Sequence, residues 1–256
     1  MLNEKVISVM KRYELKFRLT KQQVDYFKEE ILNHMKIDKY GLTTIGSIYY
    51  DTSDNRIINR SIEKPFFKEK LRLRSYGDYH NNSPLFLEIK RKNEKVVYKR
   101  RIMTNIDKVN RFFLLDEEFG DTQIDRELQA FKDQYGTLQA KYLIIYDRIA
   151  YYQDDSDVRI TLDMNPRYRV NNLEFKDLND ATPLLDKDEA ILEVKVQHSI
   201  PLWLVEILTK GKIYQTSFSK VGTAYTREMA KKNKEVLINI PLNQEIEGGY
   251  QYGLTI

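Results

Sequence analysis

The sequence predicts a mainly β protein of the α+β kind, in which about eight antiparallel strands build a barrel or a sandwich with helices packed outside. Three observations carry this. Apolar and polar residues alternate strictly in run after run, the period of a strand rather than of a helix. No parallel strand–helix–strand rhythm links those runs. Within them, basic side chains recur at one parity near the strand centres, opposite the apolar face.

In chain order, Arg12–Leu19 alternates Tyr13, Leu15, Phe17 and Leu19 against Arg12, Glu14, Lys16 and Arg18. A helix within 20–40 follows, with Thr20 as N-cap and Val24, Phe27, Ile31 and Leu32 at helical spacing. Strands return at Gly46–Asp51 and Glu69–Tyr76, the second placing Lys70, Arg72 and Arg74 on one face. Leu85, Leu87 and Ile89 then alternate with Phe86, Glu88, Lys90 and Lys92, and Asn93-Glu94 turns that run into Lys95–Ile102 as an antiparallel hairpin. Between 107 and 138 the period becomes helical, through Phe112, Leu115, Phe119, Leu128 and Phe131. Lys141–Tyr151, Val158–Asp163 and Ala190–Gln197 complete the strands. Pro201–Leu208 and Ser219–Lys231 read as helices, the first with Pro in its first turn and the second with Ser219 near its N-cap. The tail from Asn239 reads as loop.

At 256 residues and 41% hydrophobic content, one elaborate domain over 1–256 is expected, with a core at about 10–232 and a tail over 233–256. Forty-two Lys and Arg against 38 Asp and Glu leave a formal charge of only +4, so the totals do not describe a nucleic-acid protein. Any anion site must come from local clustering. The absence of cysteine excludes disulfides, thiolate zinc sites and Cys nucleophiles. A mean hydropathy of -0.59, without a long apolar run or a signal-peptide pattern, predicts a cytoplasmic chain with no membrane segment.

Lys16, Arg72, Arg74, Lys90, Lys99, Arg148 and Arg159 recur near strand centres, and carboxylates in the same segments are fewer. A solvated face mixes signs more evenly. If a barrel closes with its apolar faces outward under the helices, the charged faces line the inside. Such a cluster of buried cations requires an anion to fill the space. Arg grips phosphoryl oxygens through its planar fork and Lys as a point charge. Glu193, with Glu14 and Glu88, offers hard oxygen ligands for the Mg²⁺ or Mn²⁺ that accompanies di- and triphosphates.

The set Arg12-Tyr-Glu-Leu-Lys16, Ser47-Ile-Tyr-Tyr-Asp-Thr52, Lys70-Leu-Arg72-Leu-Arg74, Leu87-Glu-Ile-Lys90, Tyr146-Asp-Arg148, Val158–Asp163, Leu192-Glu193-Val-Lys195 and Ser217-Phe-Ser219-Lys220 resembles the VTC domain. That is the polyphosphate-polymerase domain of the vacuolar transporter chaperone type, in the triphosphate tunnel metalloenzyme superfamily. The resemblance runs in order over about residues 10–232. It implies a closed eight-stranded antiparallel β-barrel tunnel that takes ATP with Mn²⁺ or Mg²⁺, moves the γ-phosphate to a growing polyphosphate chain and releases ADP. Lys16, Arg72, Arg74, Lys90, Lys99, Arg148 and Arg159 then look like phosphate-binding walls. Tyr146, Ser219 and Lys220 would touch the phosphates as well, and Glu193 looks like the metal carboxylate. ATP, inorganic triphosphate or polyphosphate are the implied partners, and a membrane-bound partner protein is compatible with the resemblance. Two alternatives stand beside the polymerase: a triphosphate or polyphosphate hydrolase, and a non-catalytic polyphosphate-binding module.

His34, His80 and His198 are scattered without metal or triad spacing and read as surface residues. Tyrosines such as Tyr13, Tyr98 and Tyr142 read as strand packing rather than a base-stacking groove.

Overall fold

The computed structural model describes residues 13–238 apart from 64, 81, 82 and 95, so Arg12, Lys95 and the tail from 239 lie outside the described residues. β1 (Tyr13–Leu19) turns directly into α1 (Lys21–Ile31), whose capping box pairs Thr20 with Gln23 in both directions. β2 (Lys36–Ile37) is a two-residue strand, and β3 (Thr43–Asp51) runs into α2 (Arg56–Ile62). The sequence reading does not include α2. Seven residues are too few to establish a helical period, and the buried Asp51 carboxylate holds the turn by accepting the N–H groups of Thr52, Ile57 and Ile58. β4 (Phe67–Tyr76), β5 (Leu85–Asn93) and β6 (Val96–Thr104) form an antiparallel meander, with Glu94 in the left-handed region at the predicted hairpin turn.

The helical insertion is α3 (Ile106–Leu114) and α4 (Gln123–Tyr135), each with a side-chain N-cap. Next come β7 (Gln139–Tyr152), β8 (Arg159–Arg169), the two-residue β9 (Thr182–Pro183) and β10 (Ala190–Val196). The chain then runs through α5 (Leu202–Lys210), the two-residue β11 (Gln215–Thr216) and α6 (Lys220–Ile238). The sequence reading stops α6 at Lys231. No Gly or Pro interrupts the chain between Lys231 and Pro241, so the helix continues to Ile238.

One antiparallel sheet unites the strands in the order β11-β1-β10-β8-β7-β3-β4-β5-β6, with β2 on β7 and β9 on β8. The eight strands read from the sequence are the eight long ones, and the sheet has eleven. It is also not a closed barrel: β6 and β11 are free edges among the described residues. Three successive cations on β6 (Lys99, Arg100 and Arg101) are the kind of edge that resists strand pairing. The sheet nevertheless curls into a trough, because Lys90 Nζ on β5 donates to Glu14 Oε2 on β1 at 3.2 Å although several strands separate them in the sheet order.

The convex side carries the apolar faces, as expected. α1 and α5 cover β1, β8 and β10 through Phe27, Ile31, Leu204 and Ile207. α3 and α4 cover β4 and β5 through Phe112, Leu128 and Phe131. α6 differs, packing Val221 and Ala224 on Ile45, Tyr142, Ile144 and Tyr146 of the concave side. Tyr142 is buried, whereas Tyr13 and Tyr98 are each 41% exposed. The three histidines are exposed, His34 stacking on Trp203. Among the described residues no helix is long and apolar enough to cross a membrane.

Candidate functional site

Alternation on the eight long strands delivers polar side chains to one concave surface, in two connected groups. The first surrounds Glu88, which is fully buried. Arg72 Nε donates to Glu88 Oε2 at 2.8 Å, Arg74 Nη1 lies 3.7 Å from the same oxygen, and Lys99 Nζ lies 2.8 Å from Oε1. Burial alone would raise the Glu88 carboxyl, but these three cations hold it down at about 2. Arg72 also donates to Tyr49 Oη at 2.9 Å, and Arg74 to Ser47 Oγ and to Tyr146 Oη.

Tyr146 joins the first group to the second, since the Arg148 guanidinium and the Lys220 ammonium both lie over its ring, at 5.0 and 4.6 Å. In the second group Asp163, also fully buried, accepts from Arg148 Nε at 2.5 Å and Nη2 at 2.7 Å, and from Lys220. Glu193 sits at the centre. Lys16 and Lys220 approach its Oε1 at 3.5 and 3.6 Å, and Arg148 and Lys195 approach its Oε2 at 3.5 and 3.6 Å. Burial would raise its carboxyl, yet the four cations hold it well below the usual carboxylate range. Glu14 is pushed down to about 2, against burial, chiefly by Lys90. Lys70 closes the ring by donating to Ser219 Oγ, just before α6.

Lys16, Arg72, Arg74, Lys90, Lys99, Tyr146, Arg148, Glu193, Ser219 and Lys220 are therefore brought together. Arg159 shares their parity but stands exposed at the start of β8, where its Nη1 donates to the carbonyls of Ser156 and Val158. Sequence reasoning missed Lys70, Asp163, Lys195 and Tyr49 as site residues. A signal was present for three of them: Lys70 shares parity with Arg72, Asp163 with Arg159, and Lys195 with Glu193.

Nine cations (Lys16, Lys70, Arg72, Arg74, Lys90, Lys99, Arg148, Lys195 and Lys220) thus share the surface with four carboxylates (Glu14, Glu88, Asp163 and Glu193). The excess suits a multiply charged anion. As a cation site, the donor set suits Mg²⁺ or Mn²⁺ in one way. Lys16 Nζ stands 3.5 Å from an oxygen of both Glu14 and Glu193, so two hard carboxylates converge. No group of three or more His, Cys, Asp or Glu placed to hold a metal occurs among the described residues. Magnesium commonly takes one or two carboxylates plus substrate phosphates, which fits.

A family model described as the VTC domain matches residues 11–229. The chain belongs to the VTC domain family. No curated protein matches this VTC domain chain. Its fold is similar to that of a proposed adenylate cyclase from Bacillus halodurans, at a TM-score of 0.54 and 12% identity over 82% of this chain and 96% of that one. It is similar also to a proposed adenylyl cyclase from Hippeastrum described as having dominant triphosphatase activity, at 0.53 and 14% identity over 84% and 95%.

Burial depresses Lys70 to about 8 and Lys99 to about 7, with help from neighbouring cations. A bound anion favours the charged amines, so binding takes up protons. The sign is definite: affinity holds below the free-state values and weakens as pH rises through about 7 and about 8. Sulfate, which does not titrate in this range, is the probe. Calorimetry in two buffers of different ionisation enthalpy should give different heats, and identical heats with a flat pH profile would contradict the assignment.

Proposed function

We propose that this VTC domain is a metal-dependent polyphosphate polymerase that transfers the γ-phosphate of ATP to a growing polyphosphate chain in the cytoplasm. The observation that carries the reading is Glu193, a buried carboxylate held at 3.5–3.6 Å by four cations, beyond ordinary hydrogen-bond length, within a surface otherwise dominated by positive charge. A simple polyanion binder has no use for that carboxylate.

Phosphoryl transfer asks a protein mainly for positioning and for charge placed where the transferred group needs it. Arg72 and Arg74 are already fixed by Glu88, Tyr49 and Tyr146, so they meet phosphoryl oxygens without reorganising. Asp163 orients Arg148 and Lys220 in the same way. Lys16, Lys90 and Lys99 extend the wall along a phosphate chain, Arg159 stands at its margin, and Ser219 adds a hydroxyl. Val221 and Ala224 of α6 pack beside this wall on Ile45, Tyr142, Ile144 and Tyr146. Glu193 and Glu14 would hold Mn²⁺ or Mg²⁺, which when bound neutralises charge on the phosphoryl oxygens.

Hydrolysis is the second reading, because the Hippeastrum protein of similar fold is described as a triphosphatase. Purified chain incubated with ATP and Mn²⁺ distinguishes the two: polyphosphate with ADP is expected, orthophosphate with ADP and no polyphosphate would make it a hydrolase, and no product would make it a binder. Triphosphate should also stabilise the chain, because it relieves repulsion among cations only in the folded state. A hundred-fold excess over Kd should raise Tm by roughly 5–10 °C, and chloride at equal ionic strength should not.

A further inference from the structure

On the inner face of β4, β5 and β6 the residues pair in rows, and the chemistry changes along them. Lys70, Lys90 and Lys99 form one row and Arg72, Glu88 and Arg101 the next. The row after that is Arg74, Phe86 and Met103, so the lining turns from charged to apolar within one step along the strands. Tyr76 follows Arg74 at the same parity, and its ring meets Phe86 edge-on with centroids 5.7 Å apart. The Arg101 guanidinium lies 5.1 Å over the Phe86 ring. Tyr76 is 43% exposed and Met103 63% exposed, so the cluster opens to solvent beside the buried Arg74.

A single exposed aromatic needs no explanation. Here two aromatics, a thioether and a guanidinium on three adjacent strands adjoin the cationic wall. An inorganic phosphate chain has nothing apolar to offer them. We propose that Phe86, Tyr76, Met103 and Arg101 form a stacking platform for the base of a nucleoside triphosphate, whose phosphates extend past Arg74 into the trough. Paired positions on neighbouring strands are about 5 Å apart, so a base on Phe86 leaves the sugar beside Arg74 and directs the phosphates toward Tyr146 and Glu88. Aromatic faces and guanidinium planes accept any base, so the platform selects a nucleotide over bare triphosphate without choosing adenine over guanine. The proposal rests on the phosphate-transfer reading above and adds to it the residues that hold the donor's base and so set a nucleotide apart from bare triphosphate.

The test is the dissociation constants of ATP, GTP and inorganic triphosphate, measured by calorimetry on the whole chain as wild type, Phe86→Ala and Tyr76→Ala. The expected result is that both nucleotides weaken about ten-fold or more in Phe86→Ala while triphosphate is held as before. Equal weakening of all three ligands, or unchanged nucleotide affinity, would overturn the platform. Should Phe86→Ala fail to fold, as loss of its triphosphate binding and melting transition would reveal, the more exposed Tyr76→Ala decides on the same selective loss. Failure of the wild type to bind triphosphate would instead remove the phosphate-transfer reading itself, and the platform with it.

Discussion

Glu193→Gln is expected to lower product formation per folded molecule by about two orders of magnitude or more, while triphosphate binding without metal survives or tightens. The substitution keeps the shape of the side chain and removes its charge. Lys16, Lys195, Arg148 and Lys220 then lose their shared carboxylate, and the anion they would otherwise hold is the ligand. Binding and turnover therefore move apart. If Glu193 is only a structural ion pair, the variant loses stability while its activity per folded molecule and its metal requirement stay unchanged. Product formation and triphosphate affinity measured on the same preparation separate the two.

Asp163→Asn is expected to cost about 3–5 kcal/mol of stability and to lower Tm by roughly 10 °C, because it leaves two buried cations without their main partner. The side chain is fully buried and both its oxygens are committed, to Arg148 and to Lys220. Lys220 is the first residue of α6, so the loss also loosens the helix that covers the concave side. Phosphate oxygens can replace the missing carboxylate, so triphosphate should recover more of the Tm in this variant than it adds to the wild type. A variant as stable as the wild type, with no larger response to triphosphate, would contradict this.

Much of this architecture was legible because a strand whose two faces meet different surroundings must alternate. The segment Tyr13–Leu19 shows which side meets α1 and which meets Glu193, and the same holds for Leu85–Asn93 and Ala190–Val196. Parity also told which cations share a surface. It could not tell how far along the trough each one lies. Arg159 has the right parity but stands at a strand end, where nearby carbonyls hold its side chain. Asp163 was passed over although it shares the parity of Arg159: it closes the alternating run Val158–Asp163, and only the pairing of β8 with β7 sets it opposite Arg148. Closure of the sheet was the largest misreading. Alternation fixes faces, whereas closure depends on whether the outermost strands meet, and β6 and β11 do not pair among the described residues.

The most direct measurement of the central claim is the fate of the γ-phosphate. Purified chain given Mn²⁺, a short polyphosphate primer and ATP labelled at either the γ or the α phosphorus should move γ label into lengthening polyphosphate, with one ADP formed per phosphate added and no α label incorporated. Label appearing only as orthophosphate, or polyphosphate that never lengthens while ATP stays intact, would contradict polymerisation in this trough.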